Sequence, residues 1–195
     1  ILLLVLTAIV SIILGMGMPT TAVYVLLAVL VAPGLSKLGI LPIAAHLFIF
    51  YFGMLSMVTP PVCLASYAAA SIGRTDPVRT GWEAMRLCSI AYVVPFLFVF
   101  SPALLLIGSW YAVAISIATA IVGAVLLGVG LVGYLFCPIG VLKRLLFLVA
   151  AAGLLTPVVE TGAYTKLTLA VNAVGFLVAV IMIAIEWLAR SRRRS

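Results

Sequence analysis

Apolar residues run almost without interruption along this chain, so the informative positions are those that break the run. No side chain from Ile1 to Leu35 is charged, and none is from Trp110 to Leu142. Each stretch is long enough to cross about 30 Å of hydrocarbon. A continuous helix from Ile1 to Val31 would measure roughly 46 Å at about 1.5 Å per residue, too long for one comfortable span. The segment Gly15-Met16-Gly17-Met18-Pro19-Thr20-Thr21 interrupts it. Two glycines lower helix propensity there, and Pro19 removes a backbone donor and clashes with the preceding turn. Two arms of about 13 residues result, each reaching about 20 Å. A re-entrant hairpin with its tip near the bilayer middle fits as well as a kinked span does.

A second interrupted segment runs from Leu41 to Ile72, broken at Ser56-Met57-Val58-Thr59-Pro60-Pro61. Its two pieces suit a discontinuous spanning helix, because Lys37 stands alone at one end and Arg74, Arg79 and Arg86 stand at the other. Four further apolar stretches follow, at about Trp82 to Ile107, Trp110 to Phe136, Leu145 to Val159 and Leu167 to Leu188. The expected fold class is an all-α membrane protein: a re-entrant hairpin plus a discontinuous transmembrane helix, followed by four further membrane helices. With the Arg190, Arg192, Arg193 and Arg194 tail cytoplasmic, Lys143, Arg144 and the Arg74 to Arg86 loop fall inside. Only Lys37 and Lys166 of the 11 basic residues are left outside, as the positive-inside rule requires. A hairpin would then begin and end outside.

Composition agrees. The chain is 67% hydrophobic and 8% charged, with a mean hydropathy of +1.44, against roughly a quarter charged residues in soluble domains. The net charge of +7 is scattered in short clusters between apolar spans, which points to membrane orientation and away from nucleic acid. Ile1 opens directly onto an apolar run with no basic leader, so the chain reads as part of a longer protein. Cys63, Cys88 and Cys137 are far apart in apolar surroundings and read as small packing residues rather than disulfides or metal ligands.

The loop Arg74-Thr75-Asp76-Pro77-Val78-Arg79-Thr80-Gly81-Trp82-Glu83 offers two helix starts. One is an Asp76 cap with Pro77 at the first helical position; the other is a Thr80/Glu83 capping box. Arg79, Glu83 and Arg86 then share a face of an interfacial helix, with Trp82 suited to the headgroup level.

One histidine, no carboxylate before Asp76 and no phosphate-cradling GxxxxGK[ST] leave nucleophilic, metal-dependent and ATP-driven mechanisms without parts. Transport driven by an ion gradient remains, with no cofactor required. Nonhelical backbone at membrane depth is tolerated only where protein buries it or a wet cavity receives it, so the two breaks mark the candidate site. The arms that end near Gly15 and Ser56 would offer carbonyls to a cation, and those that begin near Thr20 and Val62 would offer N–H groups to an anion. Thr20, Thr21, Ser56 and Thr59 add hydroxyl oxygens. With no carboxylate nearby, the oxygens are assigned to Na⁺, at Gly15, Gly17, Ser56 and Thr59. The full candidate set is Gly15, Met16, Gly17, Met18, Pro19, Thr20, Thr21, Ser56, Thr59, Pro60 and Pro61. Met16 and Met18 serve equally as pocket lining or gap-filling packing.

Elsewhere the bland readings are preferred. His46 is expected to be hydrogen-bonded structure, Glu160 and Lys166 solvated, and Glu186 paired with Arg190. Ala120, Ala124 and Gly128, at four-residue spacing, are expected to mark close helix packing.

The blocks GMGMPTTAVYVLLAVLVAPGL, HLFIFYFGMLSMVTPPVCLASYAAASIGRTDPVRTGWEAMRL and VPFLFVFSPALLL, in that order, resemble the second repeat of tripartite ATP-independent periplasmic (TRAP) transporter permeases. The likeness is greatest to large fused permeases that work with TAXI-type binding proteins. It covers about Ile1 to Gly108. It implies half of an inverted-repeat elevator transporter in the bacterial or archaeal inner membrane. Small organic anions would be taken up with Na⁺, received from a periplasmic TAXI-type protein, and bound jointly with first-half or small-permease helices of the same transporter. The hairpin tip is then Gly15 to Thr21 and the helix break Ser56 to Pro61. Residues 1–73 would be the transport-domain half, 74–109 the interfacial and connecting helices, and 110–195 additional C-terminal helices. A divalent-anion/Na⁺ symporter-type carrier and a noncatalytic membrane scaffold are the alternatives.

Overall fold

Gly15 and Pro19 stop the first helix where the sequence places the interruption. In the computed structural model, α1 (Leu2–Gly15) ends at Gly15, Gly17 turns the chain with φ +79°, and α2 (Thr20–Leu30) starts after Pro19. The arms are thus 14 and 11 residues long. After a bend at Val31, α3 (Ala32–Lys37) continues the second arm. The second interruption separates α4 (Pro42–Leu55) from α5 (Leu64–Gly73). The structure describes residues 1–135, 139–156 and 163–192, and every regular element among them is helical.

The chain divides into two compact units, Ile1–Phe100 and Ser101–Ser195. In the first, α4 is the central post. Phe48, Ile49 and Phe52 of α4 pack with Leu4 and Ala8 of α1, Val23 and Leu27 of α2, and Leu35 of α3. The α2 contact depends on Gly53, where an added Cβ would lie 2.7 Å from Val23 Cγ1. Tyr24 Oη meets His46 Nδ1 at 3.1 Å, so His46 is hydrogen-bonded structure between α2 and α4.

The loop after α5 resolves the choice of helix start. Asp76 accepts from the Arg79 backbone N–H at 2.7 Å and caps α6 (Pro77–Leu87). Thr80 lies inside the helix and donates to the Asp76 carbonyl, so the Thr80/Glu83 box is not used. Arg86 and Glu83 form an exposed pair at 3.5 Å. The expected Trp82–Ile107 stretch is in fact α6, then α7 (Ser89–Phe100), then a 3-10 turn at Pro102–Leu105. On α7, Phe96 sets its edge against Phe48 and Phe52 at 5.2 and 5.8 Å.

The second unit holds α8 (Trp110–Val132), α9 (Val141–Leu154) and α10 (Ala163–Arg192). Close packing in α8 does not run through Gly128, the last of the expected Ala120, Ala124 and Gly128 stripe, for nothing lies within 4 Å of an added Cβ there. It uses Gly123 and Gly130, where a Cβ would lie 2.9 Å from Leu155 and 2.8 Å from Leu148. Leu126 and Val129 of α8 join Phe147, Ala150, Ala151 and Leu154 of α9 in the same core. Arg144, expected as a loop cation, instead donates to the Gly130 and Leu131 carbonyls at 3.0 and 2.8 Å. It thereby satisfies the end of α8 and faces the negative end of its dipole.

Leu2, Leu6, Ile9 and Ile13 on α1, and Val25 and Val29 on α2, are exposed. These apolar faces suit lipid. Three helical stretches among the described residues are long and apolar enough to cross a membrane: Thr20–Lys37, Pro77–Phe100 and Trp110–Val132. Cys137, Glu160, Arg193 and Arg194 lie outside the described residues, as do the side chains of Lys166, Glu186, Arg190 and Arg192.

Gly123→Val is expected to cost about 1–3 kcal/mol through overpacking against α9, read as a lowered thermal midpoint of the solubilised protein. Gly128→Ala should leave the midpoint unchanged or raise it slightly, because helix propensity improves and no neighbour is met.

Candidate functional site

Proline chemistry builds the second break. Pro60 and Pro61 have no N–H, so the carbonyls of Ser56 and Met57 lose the donors a continuing helix would give them. The Met57 carbonyl is recovered by the Ala65 N–H at 3.1 Å. The end of α4 is closed by side chains: Ser56 Oγ donates to the Gly53 carbonyl and Thr59 Oγ1 to the Leu55 carbonyl, each at 2.6 Å. Val58 N–H also reaches Leu55, and Met57 N–H reaches Met54. Most of the carbonyls expected to face a cation are therefore already engaged. The hydroxyls have committed their single protons to those carbonyls, and their oxygens present lone pairs to everything else.

The two breaks meet in space. A methyl group at Gly15 would lie 2.7 Å from Ser56 Oγ, 2.9 Å from Ser56 Cβ and 3.0 Å from the Gly53 carbonyl oxygen. At Gly17 it would lie 4.0 Å from Val62, on the far side of the second break. The C-terminal ends of α1 and α4 thus converge, each carrying about half a negative charge from its helix dipole. Ser56 and Thr59 are buried within this junction.

Ser11 lies one helical turn away from it, before Gly15 on the buried stripe of α1 that includes Thr7, and is wholly buried with no hydrogen-bond partner for Oγ among the described residues. An orphaned buried hydroxyl costs about 1–3 kcal/mol. The signal for it is the four-residue spacing Thr7, Ser11, Gly15.

The remaining sequence-derived residues are less central. Met16 is half-buried, and Met18 packs against the α4 core. Pro19 precedes α2 without a side-chain cap, Thr20 is half-buried and Thr21 exposed in its first turn. Pro61 is exposed and its carbonyl accepts from Tyr67 Oη. Pro60 and Cys63 are the floor on which α6 rests, for a Cβ at Gly81 would lie 2.8 Å from Cys63 Sγ and 3.4 Å from Pro60. Tyr92, on α7, was not foreseen; its hydroxyl lies 2.6 Å from Thr59 Oγ1. Among the described residues no cluster of three or more His, Cys, Asp or Glu could hold a metal. The polar side-chain atoms at the junction are neutral hydroxyl oxygens.

A family model for the tripartite ATP-independent periplasmic transporter, DctM component, matches residues 1–113. The chain belongs to this family. It is a multi-pass membrane permease of the TRAP type, serving secondary transport, and not an enzyme. TRAP permeases work with a periplasmic binding protein and a small permease. No match was found among curated proteins or among solved structures. The matched span includes both breaks and the helices α6 and α7 that pack on the second.

Gly15→Ala should lower the thermal midpoint more than Gly17→Ala, even though Gly17 has positive φ. A Cβ at Gly15 meets backbone and a buried hydroxyl, whereas at Gly17 the cost is the left-handed conformation alone, about 1–2 kcal/mol. Equal midpoints for Gly15→Ala and wild type would mean that the helix ends do not touch.

Proposed function

We propose that this TRAP permease takes up small organic anions, carboxylates above all, and that the junction of its two breaks is a Na⁺ and substrate site. The convergence of Gly15 on Ser56 carries the reading. Two negative dipole ends, hydroxyl oxygens whose protons are committed elsewhere, and the orphaned Ser11 form an oxygen-rich environment with no charged side chain from Ile1 to Leu35. Hard cations take such ligands. Ser56 and Thr59 are the side chains nearest to supplying them, with main-chain oxygens at Gly15 and Gly17. The N-terminus of α2, at Thr20 and Thr21, and that of α5 offer N–H groups to a substrate carboxylate.

In this reading α1 and α2 form a re-entrant hairpin, α4 and α5 a discontinuous spanning helix, and the first unit the second-repeat half of an elevator. First-half helices or a small permease complete the pathway, a TAXI-type binding protein delivers substrate, and the basic C-terminal tail is cytoplasmic. The family match favours a carrier served by a binding protein over a binding-protein-independent symporter or a scaffold.

Uptake of labelled mono- and dicarboxylates into proteoliposomes, by the full-length permease with its binding protein, tests this. Wild type should require an inward Na⁺ gradient, and Thr59→Val, which removes a ligand oxygen outright, should lose the Na⁺-driven uptake. Uptake indifferent to both Na⁺ and the substitution would defeat the proposal.

A further inference from the structure

Thr59 Oγ1 makes two contacts of 2.6 Å, one to the Leu55 carbonyl and one to the Tyr92 hydroxyl. A threonine hydroxyl has one proton, and a carbonyl can only accept. The Thr59 proton therefore lies toward Leu55, and Tyr92 is the donor in the second contact. The bonds run in one direction, from Tyr92 to Thr59 to the end of α4, and each polarises the next.

We infer that Tyr92 is a positioning residue for the cation site: its phenolic O–H holds Thr59 Oγ1 in place and leaves that oxygen one lone pair for an ion. This rests on the assignment of Thr59 as an ion ligand under the proposed function. Thr59 needs such a partner, because Pro60 and Pro61 follow it and the backbone there has left the helical ladder. Beside the contact, a recess of about 450 Å³ lined by Leu55, Val58, Cys88 and Ala91 lies between α4 and α7. On α7 itself, Pro95 has no N–H to give the Ala91 carbonyl. The ring of Tyr92 joins the apolar core, so Tyr92→Phe preserves the packing and removes only the donor.

The test uses the full-length permease in detergent, with NaCl replacing choline chloride at constant ionic strength. A bound ion raises the thermal midpoint as its concentration passes the dissociation constant. Wild type should be stabilised by Na⁺, and Thr59→Val should lose the response. Tyr92→Phe should need about tenfold more Na⁺ for half the stabilisation, the usual scale for a group that orients a metal ligand. Tyr92→Phe combined with Thr59→Val should behave as Thr59→Val alone. A Tyr92→Phe midpoint at the wild-type Na⁺ concentration, with Thr59→Val unresponsive, overturns the role of Tyr92 and leaves the ion site standing. A wild type blind to Na⁺, or a Thr59→Val that titrates normally, removes both. Should Tyr92→Phe not fold, ¹³Cζ-tyrosine introduced at position 92 of the otherwise unaltered protein reads the same contact. Its resonance should move with Na⁺ at the midpoint of thermal stabilisation, and a resonance that stays fixed overturns the inference.

Discussion

Two helices that stop against each other, α1 at Gly15 and α4 beside Ser56, set the terms for the rest of the first unit. Helix ends are costly in hydrocarbon, because each leaves backbone groups without partners and water is not there to take them. One end can be capped locally. Two ends brought together must be fitted to one another, and here the absence of a side chain at Gly15 allows the approach. Around that contact α2 nests on Gly53, α6 rests through Gly81 on Cys63 and Pro60, and α7 reaches Thr59 through Tyr92. Within this unit α2, α6 and α7 thus all pack about the second break.

The polarity of the junction follows from where the protons go. Ser56 and Thr59 donate to main-chain carbonyls, which closes α4 without a following turn and turns both hydroxyls into acceptors. Two C-terminal dipoles add negative potential. A cation is the species such a place accommodates at least cost, and under the proposed function it is the coupling ion. The same features would repel a carboxylate, so under the proposed function the substrate anion lies at the N-terminal ends of α2 and α5 or beside the ion's own charge.

Much of this was legible in the sequence, and the limits have physical causes. Glycine and proline announce breaks through backbone chemistry alone, so the ends of α1 and α4 and the starts of α2 and α5 fell near the expected residues. That the breaks touch is a matter of how two helices pack, which no local pattern encodes. Hydrophobicity on all sides of α8 hid its packing face. Spacing suggested Ala120, Ala124 and Gly128, whereas the glycines of α8 that close on neighbouring side chains are Gly123 and Gly130. Tyr92 looked like any aromatic in an apolar helix, because its importance lies in a partner on another element. Arg144 looked like a loop charge because the carbonyls it binds belong to the helix before it. Asp76 and Thr80 were both credible caps; Pro77 decided between them by starting α6 immediately after Asp76.

Thallium is a heavy, strongly scattering stand-in for Na⁺, and crystals of the full-length permease grown with it would locate the ion by anomalous diffraction. A peak is expected where the ends of α1 and α4 meet, within coordination distance of Ser56 and Thr59 side-chain oxygens. A peak confined to other parts of the protein, or helices running unbroken through Met16 and Thr59, would contradict that expectation.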